Sequence, residues 1–156
     1  MLTTIPGKFI MTFLISMIPV IELRGGLPYG ILNGLSLPLA SLAAVTGNML
    51  PVPFILFFIE KIFELLRKYI PKMNNFICRM ESRAASKRET IEKYGYVGLL
   101  ILVAIPLPGT GAWTGSMIAA VLNIRMKRAI PPILVGVVIA GLLVSLATSG
   151  VVTWLL

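Results

Sequence analysis

Residues 19–30 read PVIELRGGLPYG, and this stretch decides the fold because it interrupts an apolar segment with Glu22, Arg24 and two adjacent glycines. The apolar leg before the interruption, residues 9–21, would reach only about 20 Å as a helix, which is too short for a hydrocarbon core of roughly 30 Å. Proline removes a backbone donor and glycine accepts unusual dihedral angles, so a turn or unwound stretch is expected here. The sequence therefore predicts a re-entrant hairpin over residues 9–35.

A second interruption repeats this plan further along the chain. Residues 106–111 read PLPGTG and separate two apolar legs, and in both halves the first leg ends in Ile-Pro, at 18–19 and at 105–106. Both breaks lead into a small-xxx-small pattern, GLPYG at 26–30 and GAWTG at 111–115. The pattern predicts a duplicated chain with a second re-entrant hairpin over residues 96–124.

The composition indicates a membrane protein. Apolar residues make up 57% of the chain, charged residues only 13%, and the mean hydropathy is +0.93, well above that of soluble domains. Four apolar regions, 9–35, 37–59, 96–124 and 129–156, flank a charged connector at 60–94. Four spanning helices, two of them kinked at their Gly-Pro sites, remain an alternative to the hairpins.

The positive charges favour the hairpins. The connector is rich in lysine and arginine, which predicts a cytoplasmic location by the positive-inside rule. Arg125, Lys127 and Arg128 would emerge outside if region 96–124 spanned the membrane, whereas they join the connector if it enters and returns. The apolar face of the connector, which includes Ile59, Ile62, Phe63, Leu66 and Ile70, is expected to rest on the anionic inner leaflet, and no nucleic-acid partner is needed.

These arguments predict an all-α integral membrane protein of the cytoplasmic membrane, built as an inverted repeat in one domain over residues 1–156. The first repeat, 1–59, comprises the hairpin 9–35 and a spanning helix at 37–59. The amphipathic cytoplasmic connector follows at 60–94. The second repeat, 95–156, comprises the hairpin 96–124 and a spanning helix at 129–156.

The residue inventory argues against an enzyme. Histidine and aspartate are absent and Cys78 is the single cysteine, so the usual metal clusters and catalytic triads are unavailable. PLPGTG lacks the lysine of a nucleotide-binding phosphate loop, because Ala112 follows its last glycine. We expect no metal and no cofactor, with coupling to a proton or a sodium ion as the remaining option.

Three stretches resemble a known family. ELRGGLPYG at 22–30, the GN pair at 47–48 with prolines nearby, and PLPGTGAWTG at 106–115 are similar to the small multidrug export proteins, which are associated with the DedA superfamily of re-entrant membrane proteins. That resemblance implies transport of undecaprenyl phosphate or another lipid across the bilayer. DedA-like proteins carry an acidic motif near one hairpin and an arginine near another, whereas Glu22 and Arg24 share one hairpin here.

The charged residues of the first break define a candidate site. A charge near the bilayer centre is costly, so Glu22 and Arg24 are expected to face the interior, either as a tie for the hairpin tip or as a binding site. If helices restart near Leu27 and Ala112, both N-termini point at Arg24 and form an anion site. The candidate substrate-binding residues are Glu22, Arg24, Gly25, Gly26, Asn48, Pro108, Gly109, Thr110, Gly111 and Trp113.

Three functions follow from this site. The leading hypothesis is a transporter for an anionic amphiphile, such as a polyprenyl (undecaprenyl) phosphate, whose headgroup lies between the hairpin tips. The alternative is an exporter of cationic amphiphiles that uses Glu22 as its exchanging carboxylate. The third is a lipid-binding membrane protein without transport. A homodimer or larger oligomer is expected because the broken hairpins need shielding from lipid, and the small residues at 136–141 offer contacts.

Overall fold

The structure, a computed structural model, describes residues 4–107 and 110–155. Its seven helices are α1 (Ile5–Met17), α2 (Glu22–Leu32), α3 (Leu37–Met49), α4 (Pro51–Tyr69), α5 (Asn74–Ala104), α6 (Ala112–Val121) and α7 (Met126–Leu155), with a 3-10 turn at Pro71–Met73. No strand occurs in these described residues. The prediction of an all-α protein is confirmed for this part of the chain.

Two stretches are long and apolar enough to cross a membrane. Leu37–Ile59 has 23 residues and a mean hydropathy of 1.9, and Met126–Gly150 has 25 residues and a mean hydropathy of 2.5. The first stretch joins α3 to α4 with little distortion, because Leu50 between them keeps helical angles and Pro51 begins the next helix. Both stretches match the predicted spanning helices, although α7 begins at Met126 rather than at residue 129.

Helices α1 and α2 form a tight antiparallel pair. A Cβ atom at Gly26 would collide with the Ser16 side chain, and one at Gly30 would lie 2.8 Å from the Thr12 hydroxyl. Later positions on α2 therefore meet earlier positions on α1. The hydroxyl groups of Thr12 and Ser16 each donate a 2.8 Å hydrogen bond to a carbonyl of their own helix. These buried groups therefore need no partner on α2, and the two helices can pack closely.

A second antiparallel pair is formed by the end of α5 and by α6. Gly95 has a φ of 58°, which breaks α5 into an amphipathic part and a separate apolar leg up to Ala104. Gly95, where this leg begins, lines the same cavity of about 220 Å³ as Leu122 and Ile124, which follow α6. The chain therefore leaves this pair at the end of the molecule where it entered.

The α1–α2 pair packs on α3, and the α5–α6 pair packs on α7. The two pairs also end in the same way. After α2 the Leu35 amide bonds to the Gly30 carbonyl at 2.9 Å, and after α6 the Ile124 amide bonds to the Ala119 carbonyl at 2.8 Å. In each turn the preceding residue has a positive φ, 80° at Gly34 and 55° at Asn123. The same helical plan thus occurs twice.

Two further glycines occupy corresponding places in the two halves of the chain. Gly47 of α3 lies against the α1 backbone, and Gly136 of α7 lies against the α5 backbone at the equivalent place. The same separation along the chain pairs Gly26 with Gly115. The small-xxx-small motifs GLPYG at 26–30 and GAWTG at 111–115 begin at Gly26 and Gly111.

The buried core lies between the hairpins and the two long helices, and it contains Leu23, Leu27, Val52, Leu99 and Ile133. Many large apolar side chains on the outside are exposed, among them Val20 and Leu146. Such a surface suits lipid as its solvent. The connector does not begin as a separate element at residue 60, because α4 continues without a break to Tyr69.

Candidate functional site

The two breaks meet at the middle of the molecule, where the first break lies against the start of α6. The Trp113 backbone N–H donates a 3.1 Å hydrogen bond to Glu22 Oε1, and the Trp113 indole N–H donates a 3.1 Å bond to the Met17 carbonyl. The Glu22 side chain is only 4% exposed. A backbone amide at the N-terminus of α6 is thus hydrogen-bonded by a carboxylate from the α1–α2 pair.

Arg24 reaches across to the second break. Its Nη1 donates to the Leu107 carbonyl, and its Nη2 donates to the Thr110 carbonyl at 2.6 Å and to the Thr110 hydroxyl at 3.0 Å. The Thr110 hydroxyl lies 2.7 Å from the Ile105 carbonyl, which it can bond in turn. Arg24 therefore ties together a stretch of backbone whose carbonyls would otherwise need water.

The geometry differs from the predicted anion site. Helix α6 begins at Ala112 as expected, but α2 begins at Glu22 rather than near Leu27. An acidic residue in the first turn of α2 suits the positive end of its own helix. Glu22 also bonds the N-terminus of α6, where an anionic headgroup was expected. Glu22 and Arg24 therefore both join the two hairpin tips.

The backbone at this contact is strained. Val20 has a φ of 77° and Glu22 a φ of 50°, in a region that costs a residue with a Cβ about 1–3 kcal/mol. Gly111 faces them with a φ of 118°, and a Cβ atom there would collide with the Glu22 carboxylate. The close approach of the two breaks therefore requires glycine at position 111.

Asn48 lies beside this contact on α3. Its side chain is 3% exposed, and its Oδ1 has no hydrogen-bond partner among the described residues. It lines a small chamber of about 10 Å³ together with Glu22, Leu23, Arg24, Val103, Gly111, Ala112, Val137 and Ala140. Among the described residues, Asn48 Oδ1 therefore accepts no hydrogen bond from either hairpin tip.

A larger apolar cavity lies on another side of Glu22. Its volume is about 410 Å³, and its polar residues include Glu22, Thr110 and Thr114. Apolar and aromatic side chains supply most of the wall, namely Pro19, Val20, Ile59, Ile62, Phe63, Leu66, Phe76, Trp113 and Met117. Among the described residues that line this cavity, Glu22 carries a charge, and Arg24 is not one of them.

The predicted site residues fall into three groups. The structure brings Glu22, Arg24, Asn48, Thr110, Gly111 and Trp113 together around the tip contact. Gly25 and Gly26 instead allow close packing, since a Cβ atom at either would collide with Ile21 or with Ser16. Pro108 and Gly109 lie outside the described residues.

The connector was not expected to contribute to the site. Ile59 and Phe63 are buried, and their cluster packs against Trp113 and Met117 of α6. The apolar face of α4 was expected to rest on the membrane, and this part of it covers the cavity instead. Its helical periodicity was a correct signal for an amphipathic helix, but periodicity does not distinguish a lipid surface from a protein surface.

One protein-family model matches most of the chain. Residues 22–143 match the model of a protein family described as "Putative small multi-drug export protein". No curated protein and no solved structure matched the chain. The matched region begins at Glu22, includes Asn48 and the whole second break, and ends within α7. Because it covers most of the sequence, the chain belongs to the small multi-drug export protein family.

Proposed function

We propose that this protein exports cationic amphiphiles across a membrane, with Glu22 as the binding carboxylate and the apolar cavity as the site of the hydrophobic part. The observation that carries the proposal is the unequal placement of the two charges. Glu22 lines the cavity, whereas Arg24 lies off it and bonds the backbone of the second break. This function also agrees with the name of the family.

The cavity suits an amphiphilic cation in size and chemistry. A volume of about 410 Å³ falls within the range of small-molecule sites, roughly 300–1,000 Å³. Phe63, Phe76 and Trp113 offer aromatic rings, which attract cations in addition to binding apolar surface. The carboxylate of Glu22, which is also a lining residue, would add charge attraction for a cation.

The same contacts count against the leading hypothesis of the sequence analysis, transport of a lipid phosphate. A phosphate would need Arg24 and the amides of α6, and both have intramolecular partners in this arrangement. Its binding would therefore have to displace Glu22 from α6 and release Arg24 from Thr110. A DedA-like role with undecaprenyl phosphate stays a prediction that the experiments below can distinguish.

We further propose that the two helical pairs are re-entrant hairpins in an inverted repeat. Lys8 Nζ lies close to the turn at Gly34, so the first pair also begins and ends at one end of the molecule. Val121, at the end of α6, lines a cavity with Arg67 and Glu81 of the connector. These contacts support hairpins that enter from opposite ends and meet tip to tip, with residues 60–94 and 125–128 cytoplasmic.

Labelling of single cysteines tests this topology. In a Cys78→Ser background, we expect an impermeant thiol reagent added outside intact cells to label Ser36→Cys and to spare Lys87→Cys and Lys127→Cys. All three native side chains are exposed in the chain, so protection would report the membrane rather than burial. Labelling at Lys127→Cys together with protection at Lys87→Cys would instead establish four spanning helices.

We propose that the protein forms a homodimer or a larger oligomer in lipid. The small residues Gly136 and Gly141, expected to contact a second copy, lie against α5 and Leu23 of the same chain. The broken hairpins are thus partly shielded from within. A homodimer in lipid would have to use other surfaces, and mass measurement in native lipid tests whether one forms.

A further inference from the structure

Another cavity lies at the end of the α5–α6 pair that is away from the hairpin tips. Its volume is about 220 Å³, and it is lined by Arg88, Ile91, Gly95, Tyr96, Leu122 and Ile124. No described residue lines both this cavity and the apolar cavity beside Glu22. The function proposed above therefore gives it no role.

The cavity lies where the chain changes from charged to apolar. Gly95 breaks α5, and the apolar part of that helix runs from Lys93 to Ala104. The long apolar stretch of α7 begins at Met126, two residues after Ile124. In a membrane, such a level corresponds to the boundary between the hydrocarbon and the lipid headgroups. A molecule bound in this cavity would therefore lie at headgroup level.

The polar side of the cavity is positively charged. Among the described residues that line it, Arg88 carries the charge. The turn that follows Ile124 adds three basic residues with exposed side chains, Arg125, Lys127 and Arg128. Glu89 and Glu92 lie near Arg88 in the sequence, but no acidic residue occurs after Glu92. No acid of α6 or α7 therefore offsets the charge of this turn.

The other side of the cavity is apolar and continues onto an exposed surface. Its apolar walls are formed by Ile91, Leu122 and Ile124. Beyond the cavity, Val97, Ile101 and Ile105 follow at intervals of four residues along α5 and are 58%, 46% and 43% exposed. Side chains at this spacing lie on one face of a helix. They form an apolar strip that runs from the cavity toward the hairpin tips.

We propose that this cavity binds the phosphate headgroup of an anionic phospholipid, with one acyl chain along the exposed strip of α5. Arg88 donates to the phosphate, and the basic turn at 125–128 attracts the negative charge. A guanidinium group has five N–H donors, so Arg88 can bind a phosphate and still keep a contact within the chain. The inference does not depend on cation export, because the lipid and the cation occupy different cavities.

A lipid titration followed by native mass spectrometry tests the proposal. The purified full chain in non-ionic detergent is titrated with phosphatidylglycerol or with phosphatidylcholine of the same acyl chains. We expect one phosphatidylglycerol to bind at least about tenfold more tightly than phosphatidylcholine, and Arg88→Gln to remove at least about tenfold of that affinity. Equal binding of the two lipids, or unchanged binding by Arg88→Gln, would overturn the proposal.

Arg79→Gln is the matched control for the loss of charge. Arg79 is an exposed arginine on the same helix, and it does not line this cavity. Its replacement removes the same charge from the connector, so the affinity for phosphatidylglycerol should stay within about twofold of the wild type. If both variants weaken binding equally, the net charge of the surface attracts the lipid and the cavity is not its site.

Ile124→Trp separates the cavity from the charges around it. The larger side chain reduces the space and leaves every basic residue in place, so phosphatidylglycerol should bind at least about tenfold more weakly. Circular dichroism establishes that the variant is folded. Unchanged lipid binding by folded Ile124→Trp would show that the headgroup lies outside the cavity, contrary to the proposal.

Competition with glycerol 1-phosphate distinguishes a lipid from a soluble phosphate. This molecule offers the same phosphate chemistry without acyl chains, so it gains nothing from the apolar strip of α5. We expect phosphatidylglycerol to stay bound in the presence of an about hundredfold excess of glycerol 1-phosphate. Displacement at that excess would assign the cavity to a soluble phosphate and overturn the lipid site.

Discussion

Replacing Glu22 with glutamine is expected to weaken the binding of a lipophilic cation at least about 30-fold. The change removes the charge that Glu22 contributes to the wall of the apolar cavity and keeps the shape of the side chain. Loss of one partner from a close, desolvated charge pair costs about 2–5 kcal/mol, and about 1.4 kcal/mol corresponds to a tenfold change in affinity. Titration of the folded protein with tetraphenylphosphonium measures the effect.

Two further variants make this result specific. Glu64→Gln removes a carboxylate from an exposed position on α4, so it should leave the affinity unchanged. Arg24→Gln should keep cation binding wherever the protein still folds, because Arg24 does not line the cavity. It should also lower stability, because the carbonyls of Leu107 and Thr110 lose a charged donor.

The lipid-phosphate hypothesis predicts the reverse order. A soluble short-chain prenyl phosphate would then bind the wild type, Arg24→Gln would abolish that binding, and Glu22→Gln would preserve it. If neither ligand responds to either substitution, the two residues serve the contact between the hairpin tips alone. Circular dichroism and size-exclusion chromatography of each variant establish that folded protein is compared.

The sequence predicted the local breaks well because their causes are local. Pro19 and the break at 106–111 interrupt the helices wherever the rest of the chain lies. Gly25, Gly26 and Pro28 were expected to extend the first break, but they lie inside α2. The structure accordingly has helix ends at Met17 and Ala104, with α6 beginning at Ala112 as expected. Hydropathy likewise located both long apolar helices, since it depends on composition within one window.

The partners of the charged residues were not predictable in the same way. Arg24 and Thr110 are far apart in the sequence, and nothing in either break indicates which hairpin supplies the donor and which the acceptor. Glu22 was expected to tie its own hairpin tip or to meet a ligand, and its carboxylate bonds the amide of Trp113 in the other hairpin. Such pairings follow from the three-dimensional approach of the tips, which a one-dimensional pattern does not specify.

Replacing Gly111 with alanine is expected to separate the hairpin tips. The added methyl group would collide with the Glu22 carboxylate, and a φ of 118° is strained for any residue with a Cβ. Strain of about 1–3 kcal/mol combines with an overpacking cost of similar size, so we expect about 2–6 kcal/mol of lost stability. Relief of the clash would move Glu22 off the amide of Trp113 and weaken cation binding as well.

Gly150 supplies the matched control, because a Cβ atom there meets nothing within 4 Å and its backbone is helical. Gly150→Ala should be neutral or slightly stabilising, since alanine favours a helix interior by about 1 kcal/mol over glycine. Thermal unfolding and cation affinity are measured for both variants. The contrary outcome is that the two variants have the same unfolding midpoint and that Gly111→Ala binds the cation as tightly as the wild type. In that case the tips do not meet at Gly111. Glu22 would then be free to turn fully toward the cavity, and its bond to α6 would have no part in holding the two hairpins together.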